Sequence, residues 1–175
     1  MQLTKGFEQA VCIITLLATQ DPQRPISSQV IHHRLGGSQT YLRKIIRKLV
    51  VAGLVKSISG NNGGFSLARG PESITIYDIV TATEGQINSY PDSGLIDTVF
   101  QDFRPVAHQG AQVINQVFHA ADERWADYLK TQTVFELIAQ TLGQEDIPTV
   151  DWNDSDEHRE LLIQKLVHNL KDDLN

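Results

Sequence analysis

Gln39, Thr40, Arg43, Lys44 and Arg47 lie in one stretch without glycine or proline. At helical spacing, Thr40, Arg43, Lys44 and Arg47 share one face, with Gln39 beside them. Their heads are an amide, a hydroxyl, two guanidinium forks and an ammonium. Such a set can hold phosphate oxygens and can also reach the acceptor edges of bases from a major groove. Which base each would read does not follow from residue type. An ordinary solvated helix surface is the competing reading.

The same stretch carries Leu42, Ile45, Ile46 and Leu49 at i, i+3, i+4 and i+7, the pattern of a buried stripe. The polar set is displaced by two residues, roughly 200° around the axis, and so faces away from the core. Ser38 caps this helix, predicted over Gln39 to Ala52, and Gly53 ends it. A shorter helix with Val30, Ile31 and Leu35 precedes it, capped by Ser27 or Ser28 and closed by Gly36-Gly37. Two helices joined by so short a glycine turn follow helix-turn-helix grammar. Upstream, Phe7, Ala10, Val11, Ile14 and Leu17 or Ala18 mark an amphipathic helix from Thr4 to Thr19, broken by Asp21 to Pro25. Downstream, Leu54, Val55 and Ile58 lead into Gly60-Asn61-Asn62-Gly63-Gly64, then Phe65, Leu67 and Ala68, a β-hairpin wing. A wing can reach an adjacent minor groove, and its glycines would let the backbone approach closely. As a nucleotide-phosphate loop the segment fails, because no helix opens after it and no lysine follows. Thr75 caps a further helix, Ile76 to Glu84, whose Ile76, Ile79 and Val80 cover the core before Gly85.

The net charge of −6 argues against nucleic acid only if it is spread evenly. Residues 1–85 hold nine Lys or Arg against five Asp or Glu, whereas residues 86–175 hold six against sixteen. Between 34 and 69 stand Arg34, Arg43, Lys44, Arg47, Lys48, Lys56 and Arg69 with no acid, a footprint suited to a phosphate backbone or simply a solvated basic face. The single cysteine, Cys12, excludes an internal disulfide, a cysteine-rich zinc site and an all-cysteine cluster within one chain. Beside the apolar stripe of the first helix, it reads as a buried structural thiol, with a sensor thiol as the competing reading. His32 and His33 are adjacent rather than one turn apart, and His108, His119, His158 and His168 lack ligand spacing. No metal, cofactor or enzymatic constellation is expected. With no long apolar run and no charged leader, the expected location is the cytoplasm, without membrane contact.

Residues 86–102 have the composition of a mobile linker. From Pro105 to about Lys130 a long helix is predicted, along which Val106, Gly110, Val113, Val117, Ala121, Trp125 and Tyr128 form one stripe. A second copy of the chain is the preferred partner, and packing on the chain's own domain the alternative. The acidic piece from Glu145 to Asn175 should form a helix bearing Leu162, Leu166 and Leu170 behind Asp154 and Glu157. It is expected to pack on the long helix; shielding of the basic helix is the competing idea. The fold class is therefore mainly α with a small β-hairpin: a winged helix-turn-helix at 1–85, a linker at 86–102, a dimerisation region at 103–142 and a helical extension at 143–175.

Ser38-x-x-Tyr41-Leu42, Leu49-x-x-Ala52-Gly53-Leu54-Val55, Gly60-x-x-Gly63-Gly64-Phe65-x-Leu67-Ala68 and Ile74-Thr75-x-x-Asp78-Ile79-Val80, in that order, resemble the Rrf2 family of bacterial winged-helix regulators. The resemblance covers 1–85 strongly and 95–142 as a long helix followed by Thr133-Val134-x-x-Leu137. It implies a homodimer joined by the long helix, with Gln39 to Arg47, including Tyr41, and the wing at Asn61 and Asn62 facing double-stranded DNA. Ser38 completes that candidate set. Many relatives carry three cysteines ahead of the long helix and bind an iron–sulfur cluster there. In that stretch this chain has only Asp92, Asp97, Asp102 and His108, so it is similar to the cluster-free branch. Arg43 and Ser59 stand where relatives often have an acid and an arginine, so the resemblance does not imply their operator sequence. Two readings follow: a homodimeric repressor on a partly palindromic operator, or a winged-helix module that contacts another protein. An effector or protein partner has no signature of its own.

Overall fold

Side-chain caps mark the start of five of the described helices. The computed structural model describes residues 2–144 and 146–154. Its helices are α1 (Lys5–Ala18), α2 (Ser28–Leu35), α3 (Gln39–Val51), α4 (Ile76–Glu84), α5 (Leu95–Val99), α6 (Arg104–Lys130) and α7 (Val134–Leu142), with strands β1 (Val55–Ile58) and β2 (Gly64–Leu67) between α3 and α4. Thr4, Ser27 and Ser38 each accept a backbone N–H in the first turn of α1, α2 and α3. Thr75 and Thr133 form reciprocal capping boxes with Asp78 and Glu136. Each cap stabilises its helix by about 1 kcal/mol. Gly36 and Gly37, with φ of 64° and 75°, make the turn between α2 and α3 in a region closed to most L residues.

The core gathers Ala10, Ile13, Ile14 and Leu17 of α1, Ile31 of α2, Leu42, Ile45, Ile46 and Leu49 of α3, and Ile74 and Ile79 at α4. Val134 and Ile138 of α7 join the same cluster. Ile76 N–H donates to the Gln132 carbonyl and Val134 N–H to that of Ile74, both at 2.9 Å, so α7 starts stitched to the start of α4. The region expected at 103–142 to go with the long helix is therefore split: α7, its last part, packs into the winged-helix core. Cys12 also departs from expectation, being exposed. The buried line of α1 runs through Gly6, Ala10, Ile13, Ile14 and Leu17, and Cys12 lies a full residue step, about 100°, off Ile13.

The connection from 86 to 102 is not plain linker: it contains α5 and opens a one-turn helix at Gln101–Phe103. α5 packs against α6, which buries only Ala107, Ala111 and Ala126. At 27 residues, α6 runs about 40 Å.

The described part of the acidic extension docks on the connection between α1 and α2 rather than on the long helix. The helix expected around Leu162, Leu166 and Leu170, with Glu157, lies outside the described residues. Val150 N–H donates to the Thr19 carbonyl at 2.7 Å, and buried Gln20 uses its amide twice, donating to Asp151 at 3.1 Å and accepting from Trp152 N–H at 2.8 Å. Arg24 pairs with Asp151 at 2.6 Å. Burial pushes the Asp151 carboxyl up, but hydrogen bonds from Gln20, Arg24 and Asn153 outweigh it and hold the group at about 2, below its ordinary 3.8. A depressed carboxyl contributes stability above its unfolded value and loses it as pH falls. Asp151→Asn should therefore cost on the order of 1 kcal/mol at neutral pH, allowing for solvent screening, and progressively less below about pH 4. Urea titrations across that range check this, and a cost independent of pH would contradict it.

Candidate nucleic-acid interface

Burying the apolar stripe of α3 leaves the opposite side no choice but solvent. Gln39, Thr40, Arg43, Lys44 and Arg47 are all exposed, as are Ser38 at the start of the helix and Asn61 and Asn62 at the tip of the wing. The Ser38 hydroxyl is occupied as an acceptor for Tyr41 N–H at 3.4 Å. Tyr41 leans toward α1, where a Cβ at Gly6 would lie 3.0 Å from its hydroxyl oxygen, so it flanks the polar face rather than standing on it.

The structure sorts the seven basic residues between 34 and 69 in a way that residue type cannot. The Arg34 guanidinium lies over the Trp152 ring, 4.4 Å from its centroid. Lys48 donates to the Thr83 carbonyl, and Arg69 pairs with Asp78 at 2.8 Å. Among the described residues, Arg43, Lys44, Arg47 and Lys56 make no hydrogen bond or ion pair. Three of these stand on the outward face of α3 and the fourth on β1. Unpaired exposed cations cost little to desolvate against an anion and release counterions from a polyphosphate.

Arg43 and Arg47 also border a hollow of about 370 Å³, with Ser28, Gln39 and Phe65 on its other sides. Ser28 and Phe65 did not stand out in the sequence as neighbours of this face, because their position depends on chain crossing. Ile26 and Phe65 exchange both backbone hydrogen bonds at 2.9 Å, which stitches β2 to the residues just before α2. Gly64 is required here for packing: a Cβ would collide with the Ile26 carbonyl. From sequence, the wing glycines are expected to serve approach to a ligand; at Gly64 the approaching backbone is the chain's own.

The other face of interest is on α6. Val106, Val113, Val117 and Tyr128 are each more than half exposed, Gly110 and Ala121 are exposed beside them, and Trp125 is half-buried. The uncovered apolar surface continues through Ile114 and Phe118 and back to Leu95, Val99, Phe100 and Phe103. These last four escaped the sequence reading because they precede the regular helical stripe.

No three His, Cys, Asp or Glu side chains converge as a metal-binding group among the described residues. At the start of α6, His108 meets Asp97 at 3.7 Å, and the single cysteine sits on α1. Such a donor set, one imidazole with scattered carboxylates and no thiolate nearby, does not fit an iron–sulfur cluster.

The Rrf2 family profile, described as an iron-dependent transcriptional regulator, matches residues 3–140. The chain is 30% identical over 151 residues to the YwgB protein of Bacillus subtilis, provisionally named an HTH-type transcriptional regulator, covering 86% of this chain and 93% of that one. It is 26% identical over 160 residues to the HTH-type transcriptional regulator IscR of Erwinia tasmaniensis, covering 91% and 90% respectively. Among solved structures, T. potens IscR superposes with a TM-score of 0.58 at 26% identity over 81% of this chain and 88% of that chain. CymR, the global cysteine regulator of B. subtilis, gives 0.54 at 22% over 80% and 98%, a likeness of fold.

The tight fit at Gly64 generates a direct test. Gly64→Ala should destabilise the protein by roughly 1–3 kcal/mol, because the clash is with backbone and cannot be relieved by a rotamer change. Chemical denaturation measures it, and a variant as stable as the parent would show that the wing root is not held against Ile26.

Proposed function

Because the chain belongs to the Rrf2 family of transcriptional regulators, we propose that it acts in the bacterial cytoplasm as a homodimeric repressor on a partly palindromic operator, without an iron–sulfur cluster. The observation that carries the DNA-reading half is the sorting of charge: of the seven basic side chains between 34 and 69, those without a hydrogen bond, ion pair or ring partner among the described residues are Arg43, Lys44 and Arg47 on the outward face of α3 and Lys56 on β1. In this reading α3 enters the major groove. Arg43, Lys44 and Arg47 meet phosphates and guanine edges, while Gln39 and Thr40 meet base edges or backbone. Lys56, Asn61 and Asn62 carry the wing to the flanking phosphates or minor groove. Ser38 and Tyr41 shape the start of the helix.

The dimer half rests on the apolar side chains that α6 leaves uncovered. A second copy of α6 across a two-fold axis would cover Val106, Gly110, Val113, Val117, Ala121, Trp125 and Tyr128 with the same residues. Two α3 helices so related would read half-sites about one DNA turn, roughly 34 Å, apart. The cluster-free reading rests on the donor set ahead of and along α6, which offers no thiolate. A repressor of this kind would respond to a small effector or a protein partner.

Selection of bound sequences from random duplex DNA tests the reading directly. An enriched motif with two related halves is expected; no enrichment would favour the protein-interaction module. Arg43→Ala and Arg47→Ala should each weaken binding to the selected site by roughly tenfold or more with the circular dichroism unchanged, and affinity should fall steeply with added salt. Wild-type affinity in both variants would remove α3 from the interface. Separately, Val113→Glu with Val117→Glu should halve the mass seen by sedimentation at micromolar concentration. A mass unaltered by the two charges would place the subunit contact elsewhere.

A further inference from the structure

We propose that residues 150–153, which lie beyond the stretch that the family profile matches, act as a positioning strap for DNA reading, holding the segment from which both α2 and the wing are hung. The inference rests on the DNA-binding reading above. Its core is a backbone sandwich at Pro25–Ser27. One side of that segment faces the wing, where Ile26 exchanges two hydrogen bonds with Phe65 of β2. On the other side, the Asn153 side-chain amide takes the place of a neighbouring strand: its Nδ2 donates to the Pro25 carbonyl at 3.0 Å, and its Oδ1 accepts from Ser27 N–H at 3.1 Å. Without Asn153 these two backbone groups would have no partner among the described residues, and Ser27 is the residue that caps α2.

Asn153 is itself held from behind. Its backbone N–H and its Nδ2 both donate to Asp151 Oδ1 at 3.1 Å, and Asp151 is fixed by Gln20 and Arg24. Between them Trp152 donates its indole N–H to Thr19 Oγ1 at 2.9 Å and lays its ring against Arg34 in the last turn of α2. The strap thus touches α2 at both ends, at the cap and beside the Gly36-Gly37 turn that leads into α3. Ser28, adjacent to the strapped Ser27, lines the same hollow as Gln39, Arg43 and Arg47. A loosened Pro25–Ser27 would let the start of α2 and the root of the wing shift together against α3. Sequence reading at base edges tolerates errors of only about half an ångström, whereas attraction of cations to phosphates is far more forgiving. Operator recognition is therefore the property the strap protects.

The test uses the full chain. Asn153→Ala removes both hydrogen bonds to the α2 segment; Trp152→Phe is the milder variant, keeping a ring but deleting the bond to Thr19. Affinity is measured for the operator selected with wild-type protein and for an unrelated duplex of equal length, well below the thermal midpoint of each variant. The expected result is about a tenfold loss of operator affinity for Asn153→Ala and a smaller loss for Trp152→Phe, with affinity for the unrelated duplex changed less than about twofold. A purely structural strap would lower the thermal midpoint and leave operator affinity as in the wild type, which would overturn the proposal. Should Asn153→Ala not fold, Trp152→Phe decides by the same ratio of affinities. Wild-type protein that selects no motif overturns the DNA-reading assignment and the strap with it; wild-type protein with a motif that the variants bind equally well overturns the strap alone.

Discussion

The burial of one side of α3 is the constraint on which the rest of the molecule turns. Leu42, Ile45, Ile46 and Leu49 are each no more than 5% exposed, wedged among α1, α4 and the neighbouring core residues. Once that stripe is sealed, the helix cannot rotate without exposing several large apolar side chains, each stabilising by roughly 1.5–3 kcal/mol when buried. Its polar side is then fixed in direction as well as in composition. The glycine turn from α2 sets where the helix starts, and Gly53 sends the chain into the hairpin on the same side.

Charge is organised by the same geometry. The basic residues near the rim of the core are absorbed by a carbonyl, a carboxylate and an aromatic ring, in the cases of Lys48, Arg69 and Arg34 respectively. Those on the outward side have nothing to absorb them among the described residues. An overall acidic protein thereby presents a local positive surface. Asp151, the acid most firmly engaged, is spent on holding Arg24 and Gln20 rather than on opposing the exposed cations.

What was legible in the sequence was what short-range physics decides. Caps at Thr4, Ser38 and Thr75, the two faces of α3, the hairpin around Gly60 to Gly64 and the extent of α6 are all set by residues within a turn or two of one another. What was not legible depends on segments meeting from far apart. Trp152 and Asn153 look like two residues in an acidic tail until the fold brings them to Thr19 and Pro25. Val134 and Ile138 carry an ordinary amphipathic pattern that does not announce which core they enter. Cys12 was misplaced by one helical step, since the true stripe of α1 includes Ile13 in place of Val11 at its centre. The glycine at 64 was legible as a turn residue, but the neighbour that demands it lies at Ile26.

The return of α7 into the winged-helix core gives the long helix a particular mechanical character. The chain leaves the domain after α4, travels the full length of α6 and comes back, with Thr75 and Thr133 bridged and Lys130 lying over the Tyr77 ring. α6 is thus a beam built into the domain wall at its Lys130 end, not a rod hung from a flexible tether. A twist imposed along such a beam is delivered as torque to α4 and, through the shared core, to α3. By the same topology residues 1–85 are an unfinished body: they lack Val134 and Ile138, the side chains of α7 buried in their core, and the domain is completed only after the detour through α6 has been made.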